Sequence, residues 1–207
     1  LEIASELEAS LDPAGGGITS VRLEKHFLDK GHDKQDNGQK VVLGHYDYPF
    51  LALNSRAAGW DLLPGEAVRD SDSAVRLSRA SSDGNFLVTE VWSPVAGSEY
   101  EFSYQVTVKN QTQAPLLVSQ LRLECGALPA SLSSKRKARM GEVFGGVSYA
   151  EATSEKVRTM KMKEVSKKMS PEKQAALAAT PASWLAVHSK YFLFCVRLNN
   201  DDRFSGL

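Results

Sequence analysis

The fold class is decided near the end of the chain by the stretch Trp184-Leu185-Ala186-Val187-His188-Ser189-Lys190-Tyr191-Phe192-Leu193-Phe194-Cys195-Val196-Arg197. Aromatic and β-branched residues dominate this run, and they favour a pleated, half-buried strand. The run is also too short, and too interrupted by His188 and Lys190, to supply the roughly 20 apolar residues that a membrane-spanning helix needs. The sequence therefore predicts a long strand here.

A short helix is expected immediately before this strand. Ser170 is a typical N-cap residue, and Pro171 suits the first helical position because its missing N–H would have no intrahelical partner there. The Ala-rich body runs to Ala179, and Thr180-Pro181 ends it. Such small side chains allow the helix to pack closely on a sheet.

The clearest strand upstream covers residues 100–109. Apolar side chains alternate with polar ones throughout it, which indicates a strand with one buried face. After a turn-rich gap at residues 110–115, residues 116–123 are apolar again. The two segments are interpreted as a hairpin.

The remaining strands are shorter. Residues 61–72 are polar and contain Pro64-Gly65, so they are interpreted as a connection, and residues 85–92 as a central strand covered on both faces. Further strands are expected at residues 18–27, 41–43, 50–53, 74–80 and 157–165. About ten or more strands with one or two short helices predict an all-β sandwich.

The bulk properties exclude several classes. The chain has 207 residues, which fits one domain over residues 1–207, and its 25 basic residues balance 25 acidic ones. A neutral chain gives no general attraction to nucleic acid. Because it begins at Leu1 without an initiator Met, we expect it to be a soluble piece of a larger protein.

No residue pattern indicates catalysis, a cofactor or a metal site. Gly15-Gly16-Gly17 lacks the lysine of a phosphate-binding loop, and no Gly-x-Ser-x-Gly motif occurs. His45 and Asp47 could share a metal, but such a pair is more often a surface feature of a loop. Cys125 and Cys195 are interpreted as two small buried hydrophobic residues, with a disulfide between them as the alternative.

Basic residues are concentrated between residues 133 and 168. A solvated face in a chain that is neutral overall is the interpretation we favour, and attraction to anionic lipid headgroups is the alternative. The group comprises Lys135, Arg136, Lys137, Arg139, Lys156, Arg158, Lys161, Lys163, Lys167 and Lys168.

Several segments, in order, resemble the large periplasmic domain of the YidC membrane-protein insertases. They are the triple-glycine entry into a strand at residues 10–23, the alternating strand at residues 100–110 followed by Pro115-Leu116, Gly145-Gly146-Val147-Ser148-Tyr149, Lys161-Met162, Trp184-Leu185-Ala186 and Tyr191-Phe192. Each motif is loose, and their order and spacing carry the resemblance, which spans nearly the whole chain.

The resemblance implies a β-supersandwich similar to that of the galactose mutarotases, and the carboxy-terminal helix predicted from the residues is expected to pack on its sheet. It also implies a periplasmic location at the bacterial inner membrane, in a parent protein with several membrane spans. The domain would be a non-catalytic accessory that assists insertion and folding of inner-membrane proteins. Its implied partners are the Sec translocon with its accessory subunits and nascent membrane proteins.

Trp184, Tyr191 and Phe192 are the residues expected to matter most, because they would anchor the segment that leads towards the bilayer. Trp184→Ala should then cost a few kcal/mol through a core cavity. The alternative function is a carbohydrate-binding or mutarotase-like protein on the same fold. It would use Trp60, Trp92 and Trp184 as platforms for sugar rings, although large aromatic residues in strands are usually core.

Overall fold

The computed structural model describes residues 2–4, 7–12, 14–27, 40–43, 49–54, 59–70, 74–115, 122–126, 145–152, 154, 156–161, 170, 172, 181–189, 193–197 and 204–205. These residues form fifteen strands: β1 Glu2–Ala4, β2 Leu7–Leu11, β3 Ile18–Phe27, β4 Lys40–Leu43, β5 Phe50–Asn54, β6 Glu66–Arg69, β7 Val75–Ala80, β8 Phe86–Pro94, β9 Phe102–Asn110, β10 Arg122–Cys125, β11 Gly145–Glu151, β12 Val157–Lys161, β13 Pro181–Ser189, β14 Leu193–Arg197 and β15 Phe204–Ser205. All strand pairs are antiparallel, which confirms the all-β class.

The chain divides into two compact units, Leu1–Gly126 and Ala127–Leu207. The first unit contains a six-stranded sheet in the order β1-β2-β3-β5-β10, in which β4 also pairs with β3, and a four-stranded sheet in the order β6-β7-β8-β9. The second unit contains a five-stranded sheet in the order β12-β11-β13-β14, with β15 also paired to β13. The single domain over residues 1–207 stays a prediction.

The two sheets of the first unit pack as a sandwich. Leu53 from β5 meets Phe86 and Val88 from β8, and Trp60 completes this buried cluster. The rings of Trp60 and Phe86 lie 4.5 Å apart between centroids, a distance typical of favourable aromatic pairs. Burial of each such side chain contributes roughly 1.5–3 kcal/mol, so this core is the main source of stability for the unit.

An irregularity in the six-stranded sheet lies beside this core. Ala52 and Phe50 of β5 pair with the neighbouring residues Glu124 and Cys125 of β10, so Leu51 is an extra residue on its strand. Leu51 has a φ of 54°, a conformation that costs a residue with a Cβ atom roughly 1–2 kcal/mol. The strain is tolerated because the Leu51 side chain is buried in the core.

The sheet of the second unit has two chemically different faces. Directly opposite residues of paired strands share a face, so the register assigns every side chain to one of them. Tyr149, Phe194 and Val196 are buried on one side, which we call the apolar face. The other side carries Lys161 and Arg197 near its margins and the buried Ala150 and Ala186 at its centre, and we call it the cationic face.

Most of the strands predicted from periodicity are confirmed. Residues 18–27 form β3, residues 41–43 and 50–53 fall in β4 and β5, and the strand predicted at residues 74–80 is β7, which begins at Val75. The prediction for residues 85–92 holds in part: β8 is central, with one face buried and the other only half-buried. The described part of residues 157–165 is the strand β12.

Two predictions are wrong. The run at residues 184–197 is not one strand but belongs to two paired antiparallel strands, β13 and β14. Residues 61–72 contain the strand β6, whose side chains are all exposed and therefore give no apolar alternation.

The hairpin predicted for residues 100–109 and 116–123 lies largely outside the described residues, because its second strand is described only at Arg122 and Leu123. These two residues belong to β10, which pairs with β5, and the strand at residues 100–109, observed as β9, pairs with β8.

The expected helix at residues 171–179 lies outside the described residues except for Glu172, which is helical. Its packing on the sheet therefore stays a prediction.

Candidate functional site

A buried ionic cluster occupies the inner face of the four-stranded sheet. Arg79 of β7 and Glu90 of β8 form a salt bridge in which the side chains are only 4% and 0% exposed. Tyr104 of β9 donates its hydroxyl to the second carboxylate oxygen of Glu90 at 2.7 Å. We call Arg79, Glu90 and Tyr104 the buried triad.

The turn between β2 and β3 supplies a further hydrogen-bond acceptor for the triad. The Arg79 Nη1 group donates to the carbonyl oxygen of Gly15 at 2.7 Å. Asp12 shapes this turn, because its carboxylate accepts the backbone N–H groups of Ala14 and Gly15, each at 3.0 Å. The arginine thus links the four-stranded sheet to a turn of the six-stranded sheet.

Gly16 has to be glycine for this arrangement to form. Its φ is 75°, and a Cβ atom there would lie 3.0 Å from Arg79 Nη2 and 3.1–3.2 Å from the Glu90 carboxylate oxygens. The triple glycine is therefore a turn into a strand, as the sequence indicates, and it also leaves space for a buried ion pair.

The electrostatics of the triad suit a structural role. Burial, together with the neighbouring Glu90 carboxylate, raises the pKa of Tyr104 well above its ordinary value of 10. The phenol therefore stays protonated at physiological pH and serves as a fixed hydrogen-bond donor. Because Arg79 and Glu90 are enclosed and already paired, they are poorly placed to exchange protons with a substrate. Among the described residues, Arg79 Nε and Trp92 Nε1 are buried without a hydrogen-bond partner.

The sequence analysis missed this cluster, although a signal was present. Arg79 continues the inward phase of Val75 and Leu77, and Glu90 lies in the inward phase between Val88 and Trp92. A charged residue in the buried phase of a strand requires a buried partner. The pairing could have been predicted on that ground.

A second polar group lies in the centre of the cationic face. Ser148 Oγ lies 3.0 Å from His188 Nε2 and 2.8 Å from Thr159 Oγ1. Gly146 lies directly opposite His188, and a Cβ atom there would be 3.5 Å from Cε1 of the His188 ring. His188 is half-buried and hydrogen-bonded, as the sequence analysis expected. A serine–histidine contact needs a third group to orient the base, and no such group contacts His188 in the described part of the chain.

Trp184 lies on β13, on the cationic face, where it is half-buried. The buried Phe194 and Val196 of β14 point to the opposite side of this sheet. Tyr191 and Phe192 lie outside the described residues. The structure therefore does not bring the three candidate residues together, and their anchoring role stays a prediction.

The other candidates resolve as follows. Cys125 is half-buried and Cys195 is exposed, so the interpretation as two buried hydrophobic residues is wrong for Cys195. Its position alternates with the buried Phe194 and Val196, which explains the exposure. Trp60 and Trp92 are buried in the first unit and cannot present a face to a sugar there.

His45 and Asp47, considered as a metal-binding pair, lie outside the described residues. Of the basic residues between 133 and 168, the structure describes Lys156, Arg158 and Lys161, and all three are exposed. Within the described ranges, no group of three or more His, Cys, Asp or Glu side chains could hold a metal ion. None of the helical residues that the structure describes belongs to a helix with the length and hydropathy of a membrane span.

A comparison with protein families identifies the chain. The family model of the YidC periplasmic domain matches residues 4–203. The chain belongs to this family. No curated protein and no solved structure matches it. The YidC family assignment agrees with the ordered motifs and extends over both units of the structure.

Proposed function

We propose that this chain is a non-catalytic accessory domain of a YidC-type insertase on the periplasmic side of the bacterial inner membrane. It assists insertion and folding of inner-membrane proteins through contacts with the Sec translocon, its accessory subunits and nascent chains. The family match over residues 4–203 is the observation that carries this proposal.

The geometry of the described residues agrees with a binding module. Arg79 and Glu90 are buried and paired with each other, and Tyr104 donates to Glu90, whereas the exposed strands offer apolar and charged side chains. Two of the three tryptophans considered as sugar platforms, Trp60 and Trp92, are buried. Most of the residues that suggested a carbohydrate-binding function therefore no longer support it.

Site-specific photo-crosslinking in the full insertase tests the proposal. A photoreactive residue is placed at Lys109 and Arg122 in the first unit and at Val157 and Leu193 in the second, all of which are exposed. We expect crosslinks to translocon subunits or to a nascent membrane protein from at least one position. Absence of such crosslinks from all four positions, together with normal insertion by an insertase that lacks the domain, would contradict it.

A further inference from the structure

The backbone of the hairpin formed by β8 and β9 allows two registers. In the observed register the N–H group of Val95 donates to the carbonyl oxygen of Glu101 at 3.1 Å, which leaves a loop at residues 96–100. A shift of β9 by two positions along β8 would leave a shorter loop at residues 96–98. Hairpin loops of three and of five residues are both common. Gly97, whose φ is 81°, gives either loop a residue that adopts a positive φ without strain.

Apolar alternation does not choose between these two registers. In the observed register Phe86 lies opposite the polar Asn110. The shifted register would place Val108 opposite Phe86 and Val106 opposite Val88, so apolar cross-strand pairs would be at least as numerous. A shift by two positions also preserves the buried face, because side chains alternate with a period of two.

The buried triad is the feature that distinguishes the two registers. Glu90 lies opposite Val106, and Tyr104 is its diagonal neighbour, whose hydroxyl donates to Oε1 of Glu90 at 2.7 Å. Diagonal neighbours lie about 7–8 Å apart, a span that an aromatic side chain reaches. The shifted register would move Tyr104 directly opposite Glu90 and out of the geometry in which this hydrogen bond forms.

Arg79 fixes the position of the Glu90 carboxylate. Its guanidinium group donates to the other carboxylate oxygen, Oε2, and to the carbonyl oxygen of Gly15 in the turn between β2 and β3. The register of β7 against β8 is held separately by a short turn, in which the N–H group of Ser81 donates to the carbonyl oxygen of Phe86 at 3.0 Å. Glu90 is therefore a fixed point against which β9 is positioned.

We propose that the hydrogen bond from Tyr104 to the buried Glu90 carboxylate selects the observed register of β9 against β8. Hydrogen bonds to charged groups are stronger than those between neutral groups, and loss of a donor to a buried carboxylate is costly. The register also determines what the hairpin loop exposes. Tyr100 is 48% exposed and its hydroxyl lies 3.5 Å from Nε2 of His26 in β3, whereas the shifted register would pair Tyr100 with Pro94.

Disulfide trapping in the 207-residue chain tests the proposal. Thr89 lies opposite Thr107 in the observed register and would lie opposite Gln105 in the shifted one. Thr89→Cys/Thr107→Cys therefore reports the observed register and Thr89→Cys/Gln105→Cys the shifted one, because a disulfide needs Cα atoms within about 7 Å of each other. Both pairs are introduced together with Cys125→Ala and Cys195→Ala, and their yields are compared in a glutathione buffer that keeps thiol exchange reversible.

Removal of the phenol hydroxyl should release the register. In the parent chain we expect the disulfide of the observed register in large excess. Tyr104→Phe should raise the proportion of the shifted disulfide about tenfold or more, the factor that corresponds to a hydrogen bond to a charged group. The matched control Ser93→Ala/Ser103→Ala removes a 2.7 Å hydrogen bond between the same two strands, outside the core, and should leave the proportion unchanged.

Replacement of the whole triad extends the test. Arg79→Met/Glu90→Leu/Tyr104→Phe substitutes apolar side chains for the buried ion pair and its donor, a change that buried ion pairs often tolerate. We expect this variant to form the shifted disulfide more readily than Tyr104→Phe does. Circular dichroism checks that every variant is folded, and if the triple variant does not fold, Tyr104→Phe decides the question.

Three results would overturn the proposal: equal yields of the two disulfides in the parent chain, no rise of the shifted disulfide in Tyr104→Phe, or the same rise in the serine control. Each of them would leave the proposed accessory function intact, because crosslinking to the translocon tests that function independently.

Discussion

The interior of the first unit and the surface of the second contain the same ion pair in different surroundings. Arg79 and Glu90 pair at 4% and 0% exposure, whereas Arg158 of β12 pairs with Glu151 of β11 at 52% and 21%. The pKa of the Glu151 carboxyl group is lowered mainly by the hydrogen bond from Ser154, and next by the hydrogen bond from Arg158. Water surrounds the exposed pair and screens it, while the buried pair depends on its protein partners.

The comparison shows that a salt bridge has to be assessed by what happens when one partner is lost. Glu151 without Arg158 is still reached by water and still accepts a hydrogen bond from Ser154, so the loss costs little. A buried Glu90 without Arg79 has no water to replace the guanidinium group. The energetic importance of a salt bridge thus follows from its burial.

The largest expected effect is that of Arg79→Met. Leaving Glu90 buried without its cation should lower the free energy of unfolding by about 3–5 kcal/mol, and Gly15 also loses a donor to its carbonyl oxygen. The matched variant Arg158→Met should produce no change that urea denaturation resolves. Similar losses in the two variants would show that burial does not separate the two pairs.

Trp92 and Trp184 allow the same comparison between a buried and a half-buried position for apolar side chains. Trp92 is 0% exposed and lies 5.2 Å from the ring of Tyr104, so Trp92→Ala should cost about 3–5 kcal/mol. Trp184 is only half-buried, and Trp184→Ala should cost clearly less, since a smaller cavity forms. Thermal melting of both variants measures the difference. An equal loss would restore the core role that the sequence analysis gave to Trp184.

The sequence predicts local structure well because alternation is a local signal. Residues 100–109 reveal β9 through their period of two, and the buried phase of β8 is visible in Phe86, Val88 and Trp92. Strand β6 is not predicted because an exposed edge strand needs no alternation of apolar side chains. The division between β13 and β14 is not predicted because both strands are equally rich in aromatic and β-branched residues.

Pairing and burial of charge are harder to predict because they depend on distant parts of the chain. The partner of β10 is β5, and Asn54 donates to Glu124 at 3.0 Å across 70 positions of sequence. Nothing local in either segment specifies this register. The buried triad lies between these extremes: the inward phase of Arg79 and Glu90 is local information, but the supporting carbonyl of Gly15 comes from a turn far upstream.

Alanine substitutions at two glycines distinguish the cost of backbone strain from the cost of a steric clash. Gly17 has a φ of 87°, and a Cβ atom there would lie 2.7 Å from the Cβ atom and 2.9 Å from the Cα atom of Ala52. Gly84 has a φ of 71° with nothing within 4 Å of the added atom. Gly84→Ala should cost about 1 kcal/mol through strain alone, and Gly17→Ala about 3 kcal/mol because the clash adds to it. Equal urea midpoints would contradict the close approach of Gly17 to Ala52 of β5.

The last expected effect concerns the hydroxyl of Tyr104, and the cost of removing it becomes smaller in alkali. Tyr104→Phe should cost about 1–3 kcal/mol at pH 8, because Glu90 loses a donor. The pKa of Tyr104 is raised in the folded state, so only the unfolded chain releases this proton near pH 10. The stability contribution is therefore complete below pH 10 and decreases as the pH rises above it.

pH 11 lies one unit above the ordinary pKa of tyrosine. The parent chain should therefore lose about 1.4 kcal/mol of its free energy of unfolding through Tyr104 at this pH. Tyr104→Phe should lack that loss, whereas Tyr100→Phe, at an exposed position, should keep it. Urea denaturation between pH 8 and 11, with tyrosinate absorbance as the readout of ionisation, measures both variants. An identical pH dependence in Tyr104→Phe and the parent chain would mean that the phenol is not enclosed with Glu90, and the contrast between the buried triad and the exposed pair would then lose its electrostatic basis.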